Sequence, residues 1–154
     1  TMAIEEIREH VEVPLEMERA FSLFVDDFFT WWPFDYTWAG EHLTWIGMEA
    51  EEGGHCYELG PHGFRLDWGR VVEFRPPERL AFLWQIGADR VPQPNPETAS
   101  RVELTFESGG AGTRVTLIHS DFERHGAGAE GYRAGMASPE GWRYILERYS
   151  SAAS

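Results

Sequence analysis

The chain opens with a strict alternation of apolar and polar positions over residues 4–13. Ile7, Val11 and Val13 share one face with Glu9, while polar and charged residues occupy the other face. A period of two is typical of a half-buried β-strand, because successive side chains point to opposite faces of a sheet. This strand would carry one acidic residue on its inner face.

Two helices are predicted next. Pro14 suits the first turn of a helix, and apolar residues then recur at helical spacing between Met17 and Phe24. The pattern predicts an amphipathic helix that ends near residue 26 or 27. Residues 28–32 predict a second, short helix, because Pro33 disfavours its continuation. Residues 34–42 carry no such period and predict a loop.

A series of strands follows, separated by turn signals rich in glycine and proline. Alternating segments predict strands at residues 43–48, 55–59, 64–75, 79–86, 101–107 and 114–121. The glycine-rich link at 108–112 predicts that the last two form a hairpin. Residues 91–96 contain three prolines and predict a loop, because proline lacks the donor that a strand ladder needs.

A capped helix is predicted near the end of the chain. Ser138 suits the N-cap position and Pro139 the first helical position. Apolar residues then fall at i, i+3, i+4 and i+7, which are Trp142, Ile145, Leu146 and Tyr149. Residues 126–135 contain four glycines and predict a loop or a broken helix.

The order of elements predicts an α+β fold in which a curved antiparallel sheet wraps around the C-terminal helix. Strands joined by short turns pair antiparallel, and one amphipathic helix can cover one face of such a sheet. The length of 154 residues is typical of one domain, so we expect residues 1–154 to form a single domain. A sheet curled around a helix leaves a wedge between them in which a ligand can bind.

The charge balance argues against nucleic acid and membrane partners. The chain has 26 acidic and 13 basic residues, a net charge of −13 and no lysine. Nucleic acids and anionic membranes bind clustered basic residues, and no apolar stretch approaches the ~20 residues of a membrane span. Cys56 is the only cysteine, so no internal disulfide can form. These features lead us to expect a cytoplasmic protein.

The usual motifs of cofactor, metal and hydrolase chemistry lack their context. Gly126, Gly128 and Gly131 match a dinucleotide fingerprint by letter, but no parallel βαβ unit surrounds them. His55 and Cys56 are adjacent, so on a strand they point to opposite faces and cannot share a metal ion without distortion. No G-x-S-x-G motif occurs. We therefore expect no cofactor and no metal ion, and the residues leave open whether a reaction is catalysed.

Aromatic residues make up 14% of the chain, and most share a strand or helix face with other apolar residues. Plain core packing accounts for many of them, but together they are candidates for the wall of a ligand pocket. Consecutive residues on a short helix cannot both face one core, so one of Trp31 and Trp32 is expected to line a cavity or its mouth. The candidate pocket residues are Trp31, Trp32, Trp45, Tyr57, Trp68, Arg70, Trp84, Phe106, His119 and Trp142.

Three ionisable residues are expected on the inner face of the sheet. His119 shares parity with Val115 and Leu117, Glu9 lies in phase with the first strand, and Arg70 shares parity with Trp68 unless a bulge at Gly69 shifts the register. A buried charge needs a partner, so these groups suggest a polar network that is either structural or orients a ligand. If the site is catalytic, His119 would be its general acid or base.

The chain resembles a known family. Its segments, in order, are similar to those of the helix-grip fold of the START and polyketide-cyclase (SRPBCC) superfamily, and most similar to bacterial homologues of the activators of the heat-shock protein 90 ATPase. The likeness spans nearly the whole chain and rests on residues 11–14, 20–21, 31–33, 52–54, 68–71, 76–80, 82–84, 112–117, 119, 141–142 and 145–146.

The resemblance implies a helix-grip domain with an internal hydrophobic cavity. We expect it to bind a small apolar or aromatic molecule. The alternatives are a protein-interaction module that associates with a chaperone, and a cyclase- or dehydratase-type enzyme acting on a polyketide-like substrate. The resemblance leaves the ligand and the oligomeric state open, a homodimer included.

The charge balance generates a direct prediction. Because the chain has a net charge of −13 and no lysine, it should show no measurable affinity for DNA or RNA at physiological salt. A gel-shift titration checks this. A salt-dependent shift at low micromolar protein would contradict it.

Overall fold

The computed structural model describes residues 3–154 and consists of one seven-stranded sheet with four α-helices. The strands are β1 (Ile7–Val13), β2 (Trp45–Met48), β3 (His55–Leu59), β4 (Arg65–Arg75), β5 (Arg79–Trp84), β6 (Ser100–Gly109) and β7 (Gly112–Ser120). The helices are α1 (Met17–Val25), α2 (Phe28–Trp31), α3 (Ala129–Met136) and α4 (Trp142–Ala152).

The sheet is antiparallel throughout and its strand order is β1-β7-β6-β5-β4-β3-β2. After β1, the chain passes through α1 and α2 to the opposite edge and returns strand by strand until β7 pairs with β1. The curled sheet packs its inner face against the helices, so the predicted α+β helix-grip fold is confirmed. No helix within residues 3–154 is both long enough and apolar enough to cross a membrane.

Helix α4 covers the inner face of the sheet with the four residues that the sequence predicted. Trp142, Ile145, Leu146 and Tyr149 are all buried. The Tyr149 hydroxyl donates a hydrogen bond to the carbonyl oxygen of Ala20 at 2.7 Å, which ties α4 to α1. Burial of this apolar stripe is the main reason that an 11-residue helix is stable here.

Both Trp31 and Trp32 are buried, although the sequence predicted that consecutive helical residues would diverge. Helix α2 ends at Trp31, and Trp32 has an extended backbone with ψ 133°. The change of backbone conformation turns both rings inward. The Trp31 indole donates to the Leu23 carbonyl oxygen at 2.9 Å, whereas Trp32 stacks on Phe28.

Several element boundaries differ from the predicted ones. β1 begins at Ile7, three residues after the start of the alternating segment. β5 ends at Trp84, and Ile86 continues only as an isolated bridge to Pro92. The glycine-rich segment 126–135 is ordered as helix α3 from Ala129 onward, preceded by Gly126 and Gly128 at positive φ.

Strand β4 contains two register shifts, one against β3 and one against β5. Cys56 and Tyr57 of β3 face Gly69 and Asp67, so Trp68 has no partner on β3. Farther along, Val71 and Glu73 face consecutive residues of β5, so Val72 has no partner on β5. Each extra residue reverses the face of the residues beyond it.

Because of the first shift, Arg70 is exposed on the outer face, so the prediction that it points inward is wrong. Trp68 and Gly69 are both buried, Arg70 is exposed, and Val71 instead of Val72 enters the core. A Cβ atom at Gly69 would lie 2.6 Å from the Leu83 carbonyl oxygen. The close approach of β5 therefore requires glycine at this position.

Replacing Trp142 with Ala tests the packing of α4. Trp142 is completely buried, so the change should lower the free energy of unfolding by about 3–5 kcal/mol. Arg148→Ala on the exposed side of the same helix should change it by less than about 0.5 kcal/mol. Denaturant melts of the two variants measure both values. A loss below about 1 kcal/mol for Trp142→Ala would contradict the packing.

Candidate functional site

A cavity of about 740 Å³ lies between the inner face of the sheet, the loop after α2, and helices α3 and α4. Its inner wall is apolar and its mouth carries polar and charged residues. The residues that line it are Trp32, Asp35, Tyr36, Thr37, Trp38, Ile46, Trp68, Trp84, Ile86, Ala88, Arg90, Gly128, Gly131, Tyr132, Gly135, Met136, Ser138, Glu140, Gly141 and Ile145.

Three indole rings form the aromatic part of the inner wall. Trp32 and Trp68 lie nearly parallel, with an interplanar angle of 14° and 6.1 Å between ring centroids. Trp84 lies 5.9 Å from Trp68 and is inclined to it by 61°. The sheet brings the last two together because Trp84 on β5 faces Gly69, the neighbour of Trp68 on β4. The arrangement offers broad apolar contact to a flat molecule.

The hydrogen-bonding capacity of this wall is largely used within the protein. The Trp84 indole donates to the Tyr132 hydroxyl at 2.6 Å, and that hydroxyl donates to the Ile86 carbonyl oxygen at 2.9 Å. The Trp32 indole donates to the Tyr36 carbonyl oxygen at 3.4 Å. Burial raises the pKa of Tyr132 to about 12, so its hydroxyl keeps its proton at neutral pH. Among the described residues 3–154, the buried Trp68 indole nitrogen finds no hydrogen-bond partner.

Backbone anchors hold the loop at the mouth in place. The Tyr36 hydroxyl donates to the Glu140 carbonyl oxygen at 2.7 Å, and the Trp38 indole donates to the Arg90 carbonyl oxygen at 3.2 Å. The carboxylate of the buried Glu58 accepts bonds from the backbone amides of Trp38 and Ala39 at 3.1 and 2.9 Å. The loop is thus tied to the turn before α4, to the turn after β5 and to β3.

Three of the ten predicted pocket residues line this cavity: Trp32, Trp68 and Trp84. Trp31, Phe106 and Trp142 are buried in the core beside or behind the cavity. Trp45 and Tyr57 are half-buried and pack on each other at 4.9 Å, and the Arg65 guanidinium lies over the Tyr57 ring. Tyr57 pairs with Asp67 and lies out of phase with the buried Cys56 and Glu58, so this pair is on the other face of the sheet.

The three ionisable residues expected to form one network are separated. Arg70 is exposed. Glu9 is half-buried on the edge strand, with its carboxylate 4.0 Å from the Arg143 guanidinium of α4. His119 is completely buried and does not line the cavity.

His119 belongs to a chain of buried hydrogen bonds. The Trp142 indole donates to its Nδ1 atom at 2.9 Å, so the proton of the neutral ring is on Nε2. Nε2 donates to the Ser100 hydroxyl at 2.7 Å, and that hydroxyl is also 2.7 Å from Nε2 of His125. Burial lowers the pKa of His119 well below its ordinary value of 6.5, with a smaller contribution from the nearby His125. The chain joins α4 to β6 and β7, which is a structural role.

Several residues that line the cavity were not predicted from the sequence, namely Tyr36, Trp38, Arg90, Tyr132 and Glu140. Tyr36 and Trp38 lie in a segment without periodicity, and Arg90 follows β5 in a turn. Glu58, which anchors the loop at the mouth, could have been identified from the sequence. Its parity with Cys56 on β3 places a carboxylate on the inner face of the sheet. Within residues 3–154 no group of three or more histidine, cysteine, aspartate or glutamate side chains could hold a metal ion.

The buried His119 and the half-buried His125 generate a prediction about pH. Burial lowers the pKa of both His119 and His125 in the folded state. The unfolded chain therefore binds more protons, and stability should decrease as the pH falls below about 6.5, by at most about 1.4 kcal/mol per pH unit for each histidine. Denaturant melts between pH 7.5 and 5.5 measure the slope.

His119→Gln should reduce that slope, whereas Arg148→Ala, which leaves both histidines in place, should keep the wild-type slope. An equal slope in wild type and His119→Gln would contradict the assignment.

Solved structures with this architecture include both biosynthetic and resistance proteins. The synthase Txn09, an anthrahydroquino-γ-pyrone synthase solved in complex with a ligand, is 32% identical, with a TM-score of 0.67 and 97% of each chain covered. CalC of Micromonospora echinospora, a self-sacrificing resistance protein, is 24% identical, with a TM-score of 0.64 and coverage of 96% and 93%.

The Aha1 dimer of Colwellia psychrerythraea is 14% identical, with a TM-score of 0.62 and coverage of 97% and 96%. The likeness to this protein and to CalC shows the fold alone. Among curated proteins, no sequence matches the chain. The profile of the family described as Activator of Hsp90 ATPase homolog 1-like protein matches residues 15–152. The chain therefore belongs to this family, as its resemblance to the bacterial homologues of these activators predicted.

Proposed function

We propose that this protein binds a small, flat, apolar or aromatic molecule in the cavity between the sheet and α4. The observation that carries the proposal is the cavity of about 740 Å³ whose inner wall contains Trp32, Trp68 and Trp84. Ligand sites in proteins are commonly cavities of about 300–1,000 Å³ with apolar and aromatic walls and a few polar groups.

The arrangement of polar groups supports an apolar ligand. The hydroxyl of Tyr132 and the indoles of Trp84 and Trp32 are already engaged within the protein. The charged residues of the lining are Asp35, Arg90 and Glu140, and all three are exposed. Dispersion contacts and loss of hydrated apolar surface would therefore supply most of the binding free energy.

The likeness to Txn09 supports a second candidate, a cyclase- or dehydratase-type enzyme on a polyketide-like substrate, because that relative is a synthase and is 32% identical along nearly its whole length. In such an enzyme the buried His119 would not act as the acid or base, because it lies outside the cavity. Turnover of a bound ligand would distinguish this function from binding alone.

A chaperone-associated interaction module is a third candidate. It is favoured by exposed aromatic residues at the mouth, where Phe34, Tyr36 and Trp38 are 56%, 39% and 38% exposed. Exposed apolar surface of this kind is common at protein interaction sites. Complex formation with a purified chaperone, unchanged by a ligand in the cavity, would favour this function.

We also propose that residues 1–154 form a single domain and that the protein is cytoplasmic. The single cysteine, Cys56, is buried, and burial raises the pKa of its thiol, so it is a poor nucleophile. The partner of the protein is a small molecule, with no role for nucleic acid. A homodimer would leave the cavity of each copy unaltered if it used the outer face of the sheet.

Titration with a neutral apolar probe such as Nile red tests the proposal. Because several indoles lie in or beside the cavity wall, the probe should quench tryptophan emission with saturable, roughly micromolar affinity. Trp84→Leu should weaken binding about tenfold, because it removes contact area from the wall.

The matched control is Trp45→Leu, which removes an indole from the other face of the sheet and should leave the affinity unchanged. Circular dichroism of both variants verifies that they are folded. Absence of saturable binding by the wild type, or equal effects of the two changes, would contradict the proposal.

A further inference from the structure

The charged residues at the mouth of the cavity have negative charge in excess. Asp35, Glu140 and Arg90 all line the cavity, and all three are exposed to solvent. The whole chain has the same bias, with 26 acidic and 13 basic residues. A solute that approaches the cavity therefore meets an electrostatic field that attracts cations and repels anions.

The negative charge is concentrated on the Tyr36 side of the mouth. Asp35 precedes Tyr36 in the chain, and the Tyr36 hydroxyl donates to the Glu140 carbonyl oxygen at 2.7 Å, so both acidic residues adjoin this ring. Burial raises the pKa of the Tyr36 hydroxyl, and the charges of Asp35 and Glu140 raise it further, whereas Arg90 lowers it. The two carboxylates thus lie close enough to act on one atom at the rim of the cavity.

The same side of the mouth offers aromatic surface to a cation. Tyr36 and Trp38 line the cavity and are both exposed. The Tyr36 ring packs edge-on against Tyr144, with 5.5 Å between centroids and an interplanar angle of 64°. The faces of such rings attract cations. An ammonium group at this rim would meet aromatic surface and two carboxylates while it stays in contact with water.

We propose that the cavity takes flat aromatic molecules that carry an amine, with the ring system against the tryptophan wall and the ammonium group at the mouth beside Asp35, Tyr36 and Glu140. This inference rests on the proposed function, because it names the class of ligand for the same cavity. The ammonium group keeps its hydration at the mouth, so it avoids the desolvation cost of a buried charge. An aromatic carboxylate of the same shape would instead place its charge beside two others of the same sign.

Three probes of matched shape test the inference. They are 9-(aminomethyl)anthracene, 9-anthracenemethanol and anthracene-9-carboxylate, which are cationic, neutral and anionic at neutral pH. Fluorescence titration gives the affinity and the stoichiometry for each probe. At about 20 mM salt the wild type should bind the amine about tenfold more tightly than the carboxylate, with the alcohol between them, and about 500 mM salt should reduce this ratio.

Removing both carboxylates at the mouth tests their role. Asp35→Asn combined with Glu140→Gln should lower the ratio of the two affinities to about twofold, because each nearly isosteric change removes one negative charge. The bond from the Tyr36 hydroxyl uses the backbone carbonyl of residue 140, so this anchor of the loop is kept.

The matched control removes two carboxylates at the opposite end of the sheet. Glu78 and Glu107 are both exposed. Glu107 lies roughly 23 Å along β6 from Ser100, which is the partner of Trp84. Glu78 precedes β5 at the same end, where its carbonyl oxygen accepts from the Phe106 amide. Glu78→Gln combined with Glu107→Gln changes the net charge equally and should leave the ratio near its wild-type value.

The outcomes separate this inference from the proposed function. If the alcohol binds the wild type saturably but the amine and the carboxylate bind equally, or the carboxylate binds more tightly, the selection for amines is wrong and the cavity remains a ligand site. Equal effects of the two double variants would also overturn it, because the preference would then come from the net charge and not from the mouth. If none of the three probes binds saturably, the proposed function is contradicted and the inference with it.

Discussion

The two register shifts in β4 are the constraint on which the interior depends. A strand with strict alternation would place Trp68, Arg70 and Val72 on one face, which would bring a guanidinium into the apolar wall. The extra residue at Trp68 places Val71 in the core and leaves Arg70 in water. One inserted residue thereby avoids the cost of a buried, unpaired charge, which is several kcal/mol. It also leaves Trp68 on the inner face, where its ring lies 5.9 Å from that of Trp84.

The buried polar groups fall into two sets with different consequences. The Trp142–His119–Ser100–His125 chain is nearly satisfied internally and joins helix to sheet. Breaking it by protonation or truncation should change stability, because each member is desolvated. The Trp68 indole nitrogen differs from this chain, because it is buried and has no hydrogen-bond partner within residues 3–154.

Local patterns in the sequence were sufficient for the elements and for the face of most residues, because alternation and helical spacing are properties of short segments. The buried stripe of α4 is one example, and the parity of β5 is another. The other seven predicted pocket residues do not line the cavity, and the reasons differ from residue to residue. Parity does not say which face of a sheet is covered, so Trp45 and Tyr57 were assigned to the wrong one. The exposure of Arg70 depends on a bulge that no periodicity reveals. The parity of His119 does not show that its side chain lies in the packed core and not at the cavity wall.

The mouth of the cavity depends on contacts that no short segment can encode. Its loop is held by the Glu58 carboxylate from β3, by a carbonyl oxygen at the start of α4, and by another in the turn at Arg90. Two of these three contacts are made by the side chains of Tyr36 and Trp38, which also line the cavity. The side chains of Tyr36 and Trp38 therefore both line the cavity and anchor its loop, so the shape of the mouth and the order of this loop depend on the same contacts.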